Sequence, residues 1–186
     1  MTKRILITGM VEPKADTRAL AWLARSIGEV QPDEIVCIEG STALLDQLRD
    51  VFDGPIGVHG GSFEGRHRVT ELPAFYDIAP GWISTGINAG CEDSRIAGNT
   101  ALGAARRLGK SVVMGHTLRL GVLSETHGYG GKIVRTLTGM EVGHLVDLKT
   151  ARTADRRQQQ GYGLLTVDGE NVNPTPIAIT SRTTKH

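Results

Sequence analysis

Residues Ser111 to Arg119 read SVVMGHTLR. Val112, Val113 and Met114 form a continuous apolar run, the signature of a strand buried on both faces. The run ends at Gly115-His116-Thr117, and Leu118 follows. This sets an imidazole at the carboxyl end of a strand. There it acts either as a hydrogen-bonding loop histidine or as a metal ligand. Leu118, two positions on, can do neither.

Upstream of this stretch, Ala101, Ala104, Ala105 and Leu108 recur at helical spacing. Asn99 or Thr100 is the expected cap and Gly109 closes the helix. Trp82–Thr85 reads as the strand before it. At the amino end, Arg4–Ile7 is a strand, and Asp16 caps a helix carrying Leu20, Leu23, Ala24 and Ile27, with Gly28 as its terminator. Glu34–Ile38 is the next strand. Ser41 caps a second helix with Leu44, Leu45, Leu48 and Val51, and Ile56–Val58 is the third strand. The stretch from Gly65 to Pro80 carries the basic run Arg66, His67, Arg68 and otherwise reads as irregular. The opening β-α-β-α-β order predicts a parallel sheet covered by helices. In such sheets ligands lie beyond the carboxyl ends of the strands. The loops at Gly9, Gly40, Gly60, Thr85 and Gly115 are therefore expected to meet at one cleft. After Leu118 the pattern becomes mainly β: Gly121–Ser124, Lys132–Leu137, Gly143–Asp147, Gly163–Val167 and Ile177–Ile179, with a turn signal at Asp168-Gly169.

The chain has 186 residues, 39% hydrophobic and 22% charged, which suits a single α/β domain over residues 1–186. A formal net charge of +1 gives no global field for nucleic acid or membrane. Aromatic content of 4% argues against a base-stacking platform. Cys37 lies in an apolar run and is expected in the core; with Cys91 it makes no disulfide framework. No signal peptide opens the chain and no apolar run is long enough to span a bilayer, so a cytoplasmic protein is expected.

The Gly115-His116-Thr117-Leu118 segment is similar to the last metal-binding motif of the calcineurin-like metallophosphoesterases, Gly-His-x-His. The order of elements resembles the compact phage or bacterial members of that family over most of residues 3–170. The resemblance implies an α/β/β/α sandwich and a site for two metals that activate a water and stabilise phosphoryl oxygens. Against the family's motifs, however, the ligands are replaced. Gly9-Met10-Val11 stands where Asp-x-His is expected, and Glu39-Gly40 stands for Gly-Asp. Gly60-Gly61-Ser62 stands for Gly-Asn-His. Thr85-Gly86-Ile87-Asn88 follows the strand that should end in a histidine, and Leu118 takes the place of the last one. His116 survives. Glu39 is a displaced carboxylate, and on a strand a slip of one residue turns a side chain to the other face. The chain thus reads as a phosphoesterase scaffold without its metal site, with no metal and no cofactor expected.

Binding needs less than catalysis. The helix opening at Ser41 offers backbone N–H groups to an anion without a metal. Ser41, Ser62, Asn88, His116 and Arg119 are the expected ligand-binding residues, and a phosphate-bearing small molecule, a nucleotide above all, is the expected partner. Arginine suits phosphate because its planar fork makes paired hydrogen bonds; Arg66 and Arg68 offer the same chemistry. Because compact members of the resembled family are often phage-encoded, sequestration of a host nucleotide signal in the host cytoplasm is one expected role. A residual phosphodiesterase or nuclease using Glu12, Glu39, Asn88, Glu92, Asp93 and His116 is the second reading. An assembly protein whose site is plugged by Val11 and Leu118 is the third. The glycine-rich segment Glu125–Gly143 is a candidate contact for a homo-oligomer. His127-Gly128-Tyr129-Gly130-Gly131-Lys132 lacks the spacing of a P-loop, and Ile133 replaces its Ser or Thr. Gly60-Gly61-Ser62-Phe63-Glu64 lacks the closing glycine of a nucleophile elbow. These readings predict that the purified protein carries no stoichiometric manganese, iron, zinc or nickel. Elemental analysis after gel filtration tests this, and about two metals per chain would refute it.

Overall fold

The computed structural model describes residues 2–12, 14–63, 68–87, 89–147 and 158–180. Thirteen strands and three helices are named among them. The first sheet contains β1 (Lys3–Thr8), β2 (Glu34–Cys37), β4 (Ile56–Val58), β6 (Thr70–Glu71), β12 (Gly161–Asp168) and β13 (Asn171–Ala178), in the order β13-β12-β1-β2-β4-β6. The second contains β7 (Phe75–Ala79), β8 (Trp82–Thr85), β9 (Ser111–Met114), β10 (Leu120–Tyr129) and β11 (Lys132–Val142), in the order β10-β11-β9-β8-β7. A two-stranded ribbon pairs β3 (Gly40–Ser41) with β5 (Gly61–Ser62). The helices are α1 (Thr17–Val30), α2 (Thr42–Arg49) and α3 (Asn99–Leu108).

Period-two alternation divides the apolar residues between three layers. Ile5, Ile7, Val36, Val113, Met140, Val142 and Leu165 point inward and form the core between the two sheets. Leu6, Ile35 and Cys37 point the other way, against Leu20, Leu23, Ile27, Leu44, Leu45 and Leu48 of α1 and α2. Val112 and Met114 meet Ala101, Ala104 and Ala105 of α3. The result is the α/β/β/α sandwich that the family resemblance implies. Cys37 is fully buried, and burial pushes its thiol up to about 11.

Several boundaries differ from the sequence reading. Helix α1 runs through Gly28 and stops at Gln31, which adopts a left-handed conformation (φ 49°) before Pro32. Asp16 caps α1 as expected, accepting from the Arg18 and Ala19 amides. Neither Asn99 nor Thr100 caps α3. Gly98 holds that position, and the Thr100 amide donates to Glu141 from β11. The 143–147 stretch forms no strand; His144 and Val146 make only isolated bridges. Strand β7 falls within the stretch read as irregular. It is an edge strand that buries little besides Ile78, so it leaves a weak hydrophobic signal. β10 and β11 are longer than expected and form a projecting hairpin that exposes Tyr129, Ile133 and Val134.

At the strands' carboxyl ends the two sheets touch through backbone. A Cβ on Gly9, just after β1, would overlap the Gly143 carbonyl oxygen, and one on Gly115, just after β9, would lie 3.0 Å from the Gly9 Cα. Gly28, by contrast, is exposed inside α1, and a Cβ added there would meet nothing within 4 Å. Gly9→Ala is therefore expected to cost about 1–3 kcal/mol, because backbone has to move. Gly28→Ala should gain about 0.5–1 kcal/mol from helix propensity. Thermal unfolding of the two variants checks both signs; equal behaviour would contradict the close approach.

Candidate functional site

The five strand-end loops meet. Met10 after β1, Ile38 and Glu39 after β2, His59 and Gly60 after β4, Gly86 and Ile87 after β8, and His116 after β9 line one cleft of about 370 Å³, with Ala74 at its rim. That volume falls within the ~300–1,000 Å³ typical of small-molecule sites. Glu39 reaches this cleft despite standing one position early. β2 ends at Cys37, so Glu39 lies in a loop, where strand alternation no longer dictates its direction. Its Oε2 accepts from the Val11 amide at 3.4 Å.

His59, which sequence reasoning had not assigned to the site, has both ring nitrogens engaged. Nδ1 faces the Pro73 carbonyl at 3.0 Å, so it must donate. Nε2 then accepts from the buried Ser84 hydroxyl at 2.8 Å. Burial lowers the His59 pKa, opposed by the Pro73 carbonyl, so the ring is held neutral. Its Nε2 lone pair is occupied and is not offered to a metal. His116 donates from Nε2 to Asp93 Oδ1 at 3.0 Å. Among the described residues, no three of His, Cys, Asp and Glu come together where they could hold a metal ion.

The other expected residues separate. Ser41 does not line the cleft; its Oγ accepts the Leu44 amide at 3.3 Å and caps α2. The hydroxyl caps the helix as expected, and no residue of the α2 amino end lines the cleft. Ser62 contributes its backbone to the pairing with Ser41. Asn88 lies outside the described residues, as do Arg66 and His67 of the basic run. The Arg68 carbonyl accepts from Arg49. Val11 is buried in the core beneath α1, and Leu118 lies on the far side of His116, so neither fills the cleft. Arg119 is almost fully buried and lines a second cavity of about 390 Å³, which shares His116 with the first.

Two buried groups escaped the sequence reading. Glu141 is fully buried at the end of β11. It accepts from the Thr100 amide at 3.1 Å and the Thr117 hydroxyl at 2.8 Å, and Arg119 Nε lies 3.5 Å away. A lone carboxylate between the apolar Met140 and Val142 was the available signal, since such a charge is seldom buried without partners. His144 is fully buried as well. Its Nδ1 accepts the Val146 amide at 3.1 Å, which leaves the proton on Nε2, and that atom has no hydrogen-bond partner among the described residues. Burial drives its pKa down to about 4, against a smaller opposing pull from Asp16.

The comparisons agree with this architecture. No protein-family model matches the chain. It is 34% identical to the gene 54 protein of Mycobacterium phage D29 over 96% of this chain and 94% of that protein. It is 33% identical to the gene 54 protein of Mycobacterium phage L5 with the same coverage. Among solved structures, a single-mutant Vps29 from Entamoeba histolytica superposes with a TM-score of 0.52 at 15% identity, covering 95% of this chain and 99% of that one. Vps29 from Chaetomium thermophilum gives 0.51 at 13% identity, covering 95% and 100%. Wild-type Vps29 from E. histolytica complexed with zinc gives 0.50 at 16% identity, covering 94% and 98%. These are structures of the metallophosphoesterase-like fold.

His59 and His144 yield a pH dependence of fixed sign. Both are held neutral in the folded state with lowered pKa values, so the unfolded chain binds more protons below about 6.5. Stability should be complete above that pH and fall as pH drops toward 4. His144 alone accounts for on the order of 3 kcal/mol of that loss. Urea midpoints across pH 4–7 measure it. His144→Gln should flatten the slope; an unchanged slope would exclude His144 as its source.

Proposed function

The chain belongs to the family of the mycobacteriophage gene 54 proteins, and we propose that it binds a phosphate-bearing small molecule, a nucleotide by preference, without hydrolysing it. The observation that carries this reading is that the cleft is open. Val11 is buried in the core cluster that includes Leu20 and Leu23 and does not line the cleft, and Leu118 lines the second cavity with His116. An assembly protein with a plugged site would have the opposite arrangement.

The donor set supports binding over hydrolysis. The fold has a zinc-bound relative in Vps29, but the groups that face this cleft are already engaged. Glu39 holds a backbone amide, His59 is bonded at both nitrogens, and His116 is tied to Asp93. Two-metal hydrolysis needs several free charged or imidazole ligands with orienting partners behind them. The residues present do not fit such a pair. A protein of this kind would release its ligand intact. Kinship with phage proteins supports a role in an infected cell's cytoplasm, holding a host nucleotide signal. No helix among the described residues is long and apolar enough to cross a membrane.

Calorimetry against mono-, di- and cyclic nucleotides tests the reading. At least one should bind below high micromolar concentration. Ala74→Trp, at the rim of the cleft, should weaken it by about tenfold or more. Phosphodiester hydrolysis should stay at background with added manganese. Absence of any nucleotide binding would favour a structural role; hydrolysis above background would favour a residual phosphodiesterase.

A further inference from the structure

The second cavity, on the other side of His116, contains an unusual cation. Arg119 has a side chain only 8% exposed, beside a fully buried Glu141. The pair does not behave as a closed ion pair. Glu141 already accepts from the Thr100 amide and the Thr117 hydroxyl. Arg119 Nε stands 3.5 Å from it and makes no hydrogen bond to a described residue. Among the described residues, no hydrogen bond donated by the Arg119 guanidinium is observed. The Nε–H is the buried donor left without a hydrogen-bond partner among the described residues, and an unpaired buried donor is costly. A buried polar group of this kind calls for an explanation, and an acceptor bound from solution supplies one.

The surroundings favour an acceptor with negative charge. Arg119 opens onto about 390 Å³ of space, with Ser94, Arg95, His116, Thr117 and Gln158 around it. The carboxylate on this wall, Asp93, is bonded to His116. The backbone is strained to produce the arrangement. Leu118 adopts a left-handed conformation (φ 58°), which costs a non-glycine residue on the order of 1 kcal/mol. Its carbonyl accepts the Gln159 amide at 3.0 Å, and Thr117 is anchored on Glu141, so the turn is held from both sides. Thr117 and Arg119 consequently line the same cavity.

The first cavity lacks these properties. It contains the Glu39 carboxylate and a neutral His59, and no residue of α2 lines it. Resting on the reading of the cleft as a site for a phosphate-bearing molecule, the geometry points to a divided site. The phosphate group lies in the second cavity, against Arg119 and Arg95. The less polar remainder reaches past His116 into the first cavity, against Ile38, Ile87 and Met10. The phosphate therefore does not occupy the position where the fold's metal motifs converge.

The test compares inorganic phosphate, a nucleoside monophosphate and the matching nucleoside by calorimetry, on the full chain and three variants. The monophosphate should bind about tenfold or more tightly than the nucleoside. Arg119→Gln should abolish that advantage, and Arg119→Lys should restore part of it, because charge returns without the fork. Arg119 is buried, so Arg119→Gln has to be checked for folding. The exposed Arg95→Gln needs no such allowance and should lower monophosphate affinity several-fold at an unchanged melting temperature. Nucleoside affinity should be the same in all variants that fold. If the monophosphate binds and Arg95→Gln and Arg119→Lys leave it unaffected, the divided site is wrong while the nucleotide reading stands. If neither phosphate nor any nucleotide binds, both fall.

Discussion

The contact on which the site depends is backbone on backbone. Gly9, Gly115 and Gly143 come from the ends of β1, β9 and β11, strands that belong to two different sheets, and they pack with no room for a Cβ at Gly9. The remainder of the sandwich keeps its sheets apart with side chains such as Ile7, Val36, Val113 and Met140. At the strand ends that spacing closes. The loops carrying Met10, Glu39 and His59 are thereby brought against the loop carrying His116. Were the sheets held at their normal separation of about 10 Å there, the two groups of loops would face solvent separately.

Glu141 organises the other half of the site. It takes the place of a side-chain cap at α3 by accepting the Thr100 amide, and it anchors Thr117 in the turn after β9. A single buried carboxylate therefore connects the helix that covers the second sheet to the loop that carries His116. Arg119 balances its charge at longer range without satisfying its own donors. Buried charge of this kind is retained at a cost in stability. Here the cost is met beside a wall, at His116, that two cavities share. His144 is a second such group, buried neutral with an Nε2 unpartnered among the described residues.

Much of the fold was legible in the sequence because apolar periodicity is a local property. Val112 to Met114, Ile56 to Val58 and Trp82 to Thr85 are short runs with clear breaks, and each is a strand in the structure. Asp16 and Ser41 act as caps because their short oxygen-bearing side chains return to their own helix's amides. Where the reading failed, something other than apolar periodicity decided the outcome. Thr100 is not a cap because Glu141, forty-one positions away, is. Gly28 does not end α1 because a glycine only permits a stop; the left-handed Gln31 before Pro32 imposes it. β7 was invisible because an edge strand buries too little to show a pattern.

The sequence by itself determined the opening β-α-β-α-β order, the mainly β second half and the convergence of the strand-end loops, which follow from residue identity and spacing along the chain; the α/β/β/α layering was implied by the family resemblance. Only the tertiary structure decided that the cleft is open, that Glu39 enters it, and that Arg119 faces a cavity of its own. Those outcomes depend on which way a side chain turns once two sheets have met. Val11 illustrates the difference: its apolar side chain equally suited a plug or a core residue, and the space beneath α1 took it.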